Sequence, residues 1–373
     1  MLKRTPLFAA HQKLGARLVE FGGWEMPVQY TSIIDEHLAV RRAAGIFDIA
    51  HMGEVFVTGP GAARFLNRVL TNNIEKLLVG EGQYTLMCHE RGGVIDDLYA
   101  YRLGEDRYLL IINASRIDPD VAWLQRQESA FGGGQARVEN VSGTVGAVAL
   151  QGPRVAGFIG ACFETKGCLT PTELRKNQIG TFSFLGREVF AARTGYTGED
   201  GFEVVAPSDL LEAFWNKALQ EGQPHGLQPA GLGARDTLRT EMGYPLYGHE
   251  LDEDKTPIEA GVGYFVSLDK GDFIGRDVLA DQKSKGVNRK CVAFKMTDKS
   301  APPRPHYPIW EPGQATAPIG EVASGTLSPS LGVGIGMGYV PVALGKVGTP
   351  LEIEIRNKKY PAIVAGKPLL KRA

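Results

Sequence analysis

The chain has 373 residues, a formal net charge of −1, and 43% hydrophobic and 22% charged residues. That is the composition of an ordinary globular protein longer than one hydrophobic core usually serves, so two or three domains are expected. The near-neutral balance gives no electrostatic case for nucleic acid or an anionic membrane, and no apolar run approaches the ~20 residues of a membrane span.

Leu7, His11, Leu14 and Leu18 fall at helical spacing and predict a helix over 7–20. "FGGWEMP" (21–27) breaks it. The N-terminal stretch has neither a long apolar core nor a small-residue cleavage site, so a cytoplasmic location is expected. A second helix over 32–45 follows, with Ser32 as N-cap and Gly45 as its stop. "GEVFVTGP" (53–60) predicts a strand and 61–71 a helix. Residues 83–114 predict strands joined by turns at "ERGG" and "GED". Then come a helix at 118–127, a strand at 146–153, two strands within 181–206, and helices at 208–222 and 231–243. The stretch 255–280 is short and mixed. After about residue 283, short apolar runs alternate with Gly/Pro turns, which predicts a separate β-barrel or sandwich.

The four cysteines, Cys88, Cys162, Cys168 and Cys291, form no Cys-x-x-Cys pair and read as buried free thiols. The scattered histidines show no ligand spacing, so no metal is expected. "GVGIGMG" (332–338) suggests a dinucleotide loop, but no helix follows it, and neither nicotinamide nor flavin is expected.

"GGVIDDLYAYRL" (92–103) reads as a strand with two carboxylates in its first half, where Asp is disfavoured. Alternation puts Val94, Asp96, Leu98, Ala100 and Arg102 on one face. Ile95, Asp97, Tyr99, Tyr101 and Leu103 share the other. The second face combines a carboxylate with two amphipathic rings and suits a flat heteroaromatic ligand. On the strand alone the alternative stays open that both aspartates sit in solvent after the Gly92-Gly93 turn.

That segment occurs with "FGGWEMPVQY" (21–30), "GIFDIAHMGE" (45–54), "RTGYTGEDGFE" (193–203), "PAGLGARDTLRTEMGYPLYGHELDED" (229–254) and "SGTLSPSLG" (324–332). In that order and spacing the chain resembles the T proteins of the glycine cleavage system, tetrahydrofolate-dependent aminomethyltransferases. The resemblance implies an α+β fold in a three-domain, cloverleaf-like arrangement. Two interleaved subdomains (about 1–54 with 148–282, and about 55–147) and a C-terminal β-barrel (283–373) would surround a central folate channel. It implies transfer of the one-carbon unit from the aminomethyl-lipoyl arm of H protein to tetrahydrofolate. The products would be methylenetetrahydrofolate, ammonia and dihydrolipoyl H protein. Lipoylated H protein and small-molecule folate are the implied partners, with no nucleic acid and no membrane.

By the same resemblance Asp97 orients the attacking folate nitrogen and takes its proton, and Glu203 accepts the pterin N–H donors. Met52, Tyr99, Tyr101, Asn113, Tyr196, Arg235 and Tyr244 join the folate site. Glu199 and Asp200 are expected as solvated turn acids, and for Arg235 a structural pair with Asp236 or Glu241 is the alternative. The C-terminal "GKPLLKRA" departs from the aromatic cluster common in the family. Competing readings are a folate-dependent demethylase of the same superfamily and a non-catalytic folate-binding module.

Overall fold

Two glycines turn the N-terminal segment back on itself. Helix α1 (Phe8–Lys13) ends well before residue 20, where the sequence reading placed its end. Gly15 takes a φ of +70°, and the chain enters strand β1 (Arg17–Phe21). Gly22 and Gly23, both at positive φ, form a two-residue hairpin into β2 (Trp24–Gln29), with Phe21 paired to Trp24. The apolar periodicity that suggested one helix therefore belongs to a short helix and a strand.

The computed structural model describes residues 2–164, 169–314 and 316–371, so Cys168 lies outside the described residues. Helix α2 (Ile33–Arg42) starts as the sequence indicates: Ser32 Oγ accepts the Asp35 N–H at 3.1 Å. It ends before Gly45, which lies within an unforeseen buried strand, β3 (Ala44–Asp48). Strand β4 (Gly53–Thr58), helix α3 (Ala62–Val69), strands β5 (Gly82–Cys88), β6 (Val94–Gly104) and β7 (Arg107–Ile112), helix α4 (Ile117–Phe131) and strand β8 (Arg137–Asn140) follow. Next come β9 (Val145–Gln151), β10 (Ile179–Phe184), β11 (Arg187–Ala192), β12 (Gly201–Pro207), α5 (Leu211–Gly222), β13 (Leu227–Pro229), α6 (Leu232–Met242) and α7 (Arg276–Lys285). Three strands thus occupy the region where two were expected.

The chain divides into two packed units. The first holds residues up to Thr85 and Leu98–Arg235; the second holds Leu86–Asp97 and everything from Asp236 onward. In the first unit a six-stranded sheet runs β10-β11-β12-β9-β3-β13, antiparallel except for the β3–β13 pair. Trp215 and Phe214 of α5 pack on Ile46, Leu150 and Phe202 of that sheet. A second sheet runs β5-β6-β7-β4-β8.

In the second unit, β14 (Arg289–Met296), β15 (Pro308–Trp310), β16 (Gly320–Leu327), β17 (Gly334–Pro341), β18 (Pro350–Ile355) and β19 (Lys358–Ala365) close a barrel in the order β14-β17-β16-β15-β18-β19. Phe294, Ile309, Val322 and Ile353 fill it. The glycine-rich 332–338 stretch is largely β17 of this barrel. The fold is therefore α+β with a closed C-terminal barrel. Cys88, Cys162 and Cys291 are buried and free. Among the described residues no helix is long and apolar enough to cross a membrane.

Candidate active site

Strand β6 keeps its alternation where it matters. Tyr99 and Tyr101 stack with ring centroids 5.0 Å apart and planes inclined by 29°. The register irregularity falls later, between Arg102 and Gly104. Tyr101 lies against Gly82, where a Cβ would come within 2.2 Å of its ring. That strand position accepts only glycine while the tyrosine stays in place. Asp97, two residues before Tyr99 on the same face, is partly exposed, whereas Asp96 is fully buried. The reading of both aspartates as solvated is thus overturned for Asp96. Met52 and Asn113 are half-buried at the ends of β4 and β7, the latter opening a short 3-10 turn. Tyr244 is half-buried just past α6, its N–H bonded to the Arg239 carbonyl at 3.0 Å. Asp97 and Tyr244 belong to the second unit; the other candidates lie in the first.

The segment "RTGYTGEDG" (193–201) forms a tethered loop between β11 and β12. Fully buried Gln151 donates from Nε2 to the Thr194 carbonyl at 3.0 Å and accepts the Thr197 hydroxyl at Oε1 at 2.8 Å. A Cβ on Gly195 would lie 1.8 Å from Gln151 Oε1, so no side chain fits there. Arg41 donates to the Thr197 carbonyl at 2.7 Å and to Glu199 Oε1 at 2.8 Å. Arg193 grips Asp200 with two hydrogen bonds of 2.9 and 2.7 Å, which hold the Asp200 pKa below its ordinary value. Glu199 is therefore a tether rather than a solvated turn acid, its side chain only 8% exposed, whereas Asp200 stays solvent-exposed as expected while it pairs with Arg193.

This loop sets a charged arrangement. Glu203 on β12 accepts from Thr194 Oγ1 at 2.9 Å, and the Tyr101 hydroxyl lies 2.9 Å from the same oxygen. Burial, then the Glu203 charge, pushes the Tyr101 phenol well above its ordinary pKa. Arg235 on α6 stacks over Tyr196, its guanidinium carbon 5.1 Å from the ring centroid. Burial pulls the Arg235 pKa down while the Glu203 carboxylate opposes that shift. Arg235 Nη1 is buried and has no hydrogen-bond partner among the described residues. The alternative of a structural pair is not realised: Asp236 binds Arg239 at 2.7 Å, and Glu241 accepts from Ser328 and Ser330. His51, 3% exposed, is pushed down to about 4 by burial and by Arg235, against the pull of Asp48, and is neutral at pH 7. The arrangement offers a carboxylate acceptor, an unsatisfied cationic donor and flat aromatic walls. It suits a planar ligand carrying both donors and acceptors.

Thr194, Gln151 and Glu54 were missed from sequence. Thr194 sits inside the 193–203 motif, and its hydroxyl was the available signal. Gln151 gave none, because the loop residues it holds, Thr194 and Thr197, lie more than forty positions away. Glu54 is fully buried with neither carboxyl oxygen partnered among the described residues. Cross-strand pairing of Glu54 with Ile111, and of Ile111 with Tyr99, puts Glu54 on the tyrosine-bearing face, about 10 Å or two strand spacings from Tyr99. Its backbone is held by Ser142, and burial raises its carboxyl pKa well above the ordinary value. At the C-terminus, where the usual aromatic cluster is missing, the Leu369 and Leu370 N–H groups bond to the Glu241 carbonyl at 2.8 and 3.0 Å.

Residues 7–270 match the GCVT N-terminal domain, and residues 289–371 match the glycine cleavage T-protein C-terminal barrel domain. The chain belongs to the glycine cleavage T-protein family. Aminomethyltransferases from Lysinibacillus sphaericus (strain C3-41) and Bacillus subtilis (strain 168) are similar to this T-protein family member along its full length. The first is 44% identical over 376 residues (100% of this chain, 99% of the relative), the second 43% over 379 residues (100% of each). The crystal structure of glycine cleavage system aminomethyltransferase T from Bartonella henselae superposes with a TM-score of 0.90. It is 34% identical and covers 99% of this chain and 98% of its own. As a member of the T-protein family the chain is an aminomethyltransferase, a transferase of one-carbon groups.

Proposed function

We propose that the chain moves the one-carbon unit from the aminomethyl-lipoyl arm of H protein to tetrahydrofolate in the cytoplasm. The substrate is an S-aminomethyl thioether. Its carbon–nitrogen and carbon–sulfur bonds break, and two carbon–nitrogen bonds to folate form. The two folate N–H protons end on ammonia and the lipoyl thiol, so no oxidant or reductant is needed. Asp97 orients the attacking folate nitrogen, takes up its proton and stabilises the iminium-like carbon. Glu203 accepts the pterin N–H donors, Arg235 supplies a donor to the same ligand, and Tyr99, Tyr101 and Tyr196 wall the ring. Met52, Asn113 and Tyr244 complete the lining.

The observation that carries this reading is the buried, partnerless Arg235 Nη1 within reach of the Glu203 charge. A buried donor left unsatisfied costs about 1–3 kcal/mol, a cost that a ligand acceptor would remove. The test is ammonia release from aminomethylated H protein, with and without tetrahydrofolate. Release that depends on both supports the reading. Turnover of a free methylated amine or sulfur compound without the carrier protein would replace it with a demethylase. Folate binding with no ammonia release would leave a binding module.

A further inference from the structure

We propose that Thr194 is the positioning residue that aims Glu203 at a hydrogen-bond-donating ligand edge, with Tyr101 fixing Thr194 in turn. This rests on the reading that Glu203 meets the pterin. The Thr194 hydroxyl has one proton, and it is given to Glu203 Oε2 at 2.9 Å. The contact between the Tyr101 and Thr194 oxygens, also 2.9 Å, then requires the phenol to donate. The result is a one-way chain, Tyr101 to Thr194 to Glu203. Tyr101 is 1% and Thr194 7% exposed, so bulk water does not compete for these bonds.

Both ends of Thr194 are fixed independently. Its carbonyl is held by Gln151 Nε2 at 3.0 Å, and its hydroxyl lies under a ring packed between Tyr99 and Gly82. A short side chain on a tethered loop therefore sets the carboxylate's orientation across a 9-residue separation. With Oε2 held, Oε1 and the remaining lone pair of Oε2 are left to accept. A ligand edge presenting paired N–H donors is matched; one presenting an acceptor meets repulsion.

The test compares affinity for tetrahydrofolate and for its 2-desamino analogue, which lacks one donor on that edge. Thr194→Val keeps the shape and removes the hydroxyl. It should weaken tetrahydrofolate binding roughly tenfold and desamino binding by about threefold or less, with the turnover number at saturating folate within about threefold. Thr194→Ser should restore parental affinity. Equal weakening for both ligands, no weakening at all, or no rescue by serine would overturn the proposal. Should Thr194→Val not fold, Tyr101→Phe decides. It removes only the donor to Thr194 and should reduce tetrahydrofolate affinity about threefold while weakening desamino binding less, so that the preference between the two ligands narrows; an unchanged preference counts against the chain. Glu203→Gln separates the two levels. If it leaves tetrahydrofolate affinity unchanged, the reading of Glu203 fails; if it weakens binding while Thr194→Val does not, only the positioning role fails.

Discussion

Glu203 and Arg235 feel each other's charge without a hydrogen bond between them. One guanidinium nitrogen of Arg235, Nη1, is thus buried with no hydrogen-bond partner among the described residues, and under the proposed function its acceptor is the folate. Arg235→Met keeps most of the side-chain length and removes the charge. The unliganded variant should be at least as stable as the parent, because the desolvation cost of a buried charge disappears. Tetrahydrofolate should raise its melting temperature much less than it raises the parent's. Paired melts with and without folate check both signs. A variant that melts lower and keeps the full folate shift would make Arg235 a structural residue.

Asp96 and Asp97 should separate cleanly. Asp97→Asn removes the proton acceptor and should slow aminomethyl transfer about 10²–10⁴-fold with little change in melting temperature. Asp96 is fully buried, so Asp96→Asn should cost about 1–3 kcal/mol of stability while leaving activity within about an order of magnitude. The measurement is transfer from H protein at saturating folate, beside urea unfolding of both variants. An inactive Asp96→Asn beside an active Asp97→Asn would invert the face assignment.

Glu54 predicts a pH signature. Its folded-state pKa lies well above the ordinary value because of burial. The folded chain holds this proton after the unfolded chain has released it. The contribution to stability is fully present below the unfolded-state pKa of about 4.3 and is lost as pH rises through the raised folded value. Glu54→Gln has no such proton, so its stability relative to the parent should increase between pH 5 and pH 8. Urea midpoints at the two pH values decide it, and a pH-independent difference rejects the neutral-acid assignment.

The Arg41–Glu199 pair is buried on both sides, with side chains 9% and 8% exposed. Arg41→Met removes the cation beside the Glu199 carboxylate and the donor to the Thr197 carbonyl. It should destabilise the protein by about 3–5 kcal/mol. Adding Glu199→Gln should recover part of that loss, since it removes a buried charge that has lost its Arg41 counter-ion. If the double variant is no more stable than Arg41→Met, the pair is not the tether described here.

Local chemistry was legible and distant chemistry was not. The Ser32 cap and the stacked tyrosines of β6 follow from spacing alone, because each depends on neighbours two or three positions away. The apolar period over 7–20 overstates the N-terminal helix, because the Gly22-Gly23 hairpin pairs residues 17–21 with β2 and this tertiary pairing overrides the helical spacing. Strand β3 was missed because its buried residues show no alternation. Glu199 looked like a turn acid, since nothing in the loop indicates that Arg41 lies 158 positions upstream. The same limit hid Gln151 behind Thr194.

The barrel closes by pairing its first strand with its last: β14 bonds to β19, with Ala293 opposite Ala365 and Met296 opposite Ala362. Until the ribosome has passed Ala365, β14 therefore has an open side. The barrel can form only after nearly every residue of the described chain has been synthesised, whereas the six-stranded sheet is complete once Pro229 has emerged. The nascent chain thus carries a finished sheet ahead of an apolar, half-paired barrel segment. A stop codon that removes β19 would leave that edge exposed permanently, and the truncated product should aggregate in the cell.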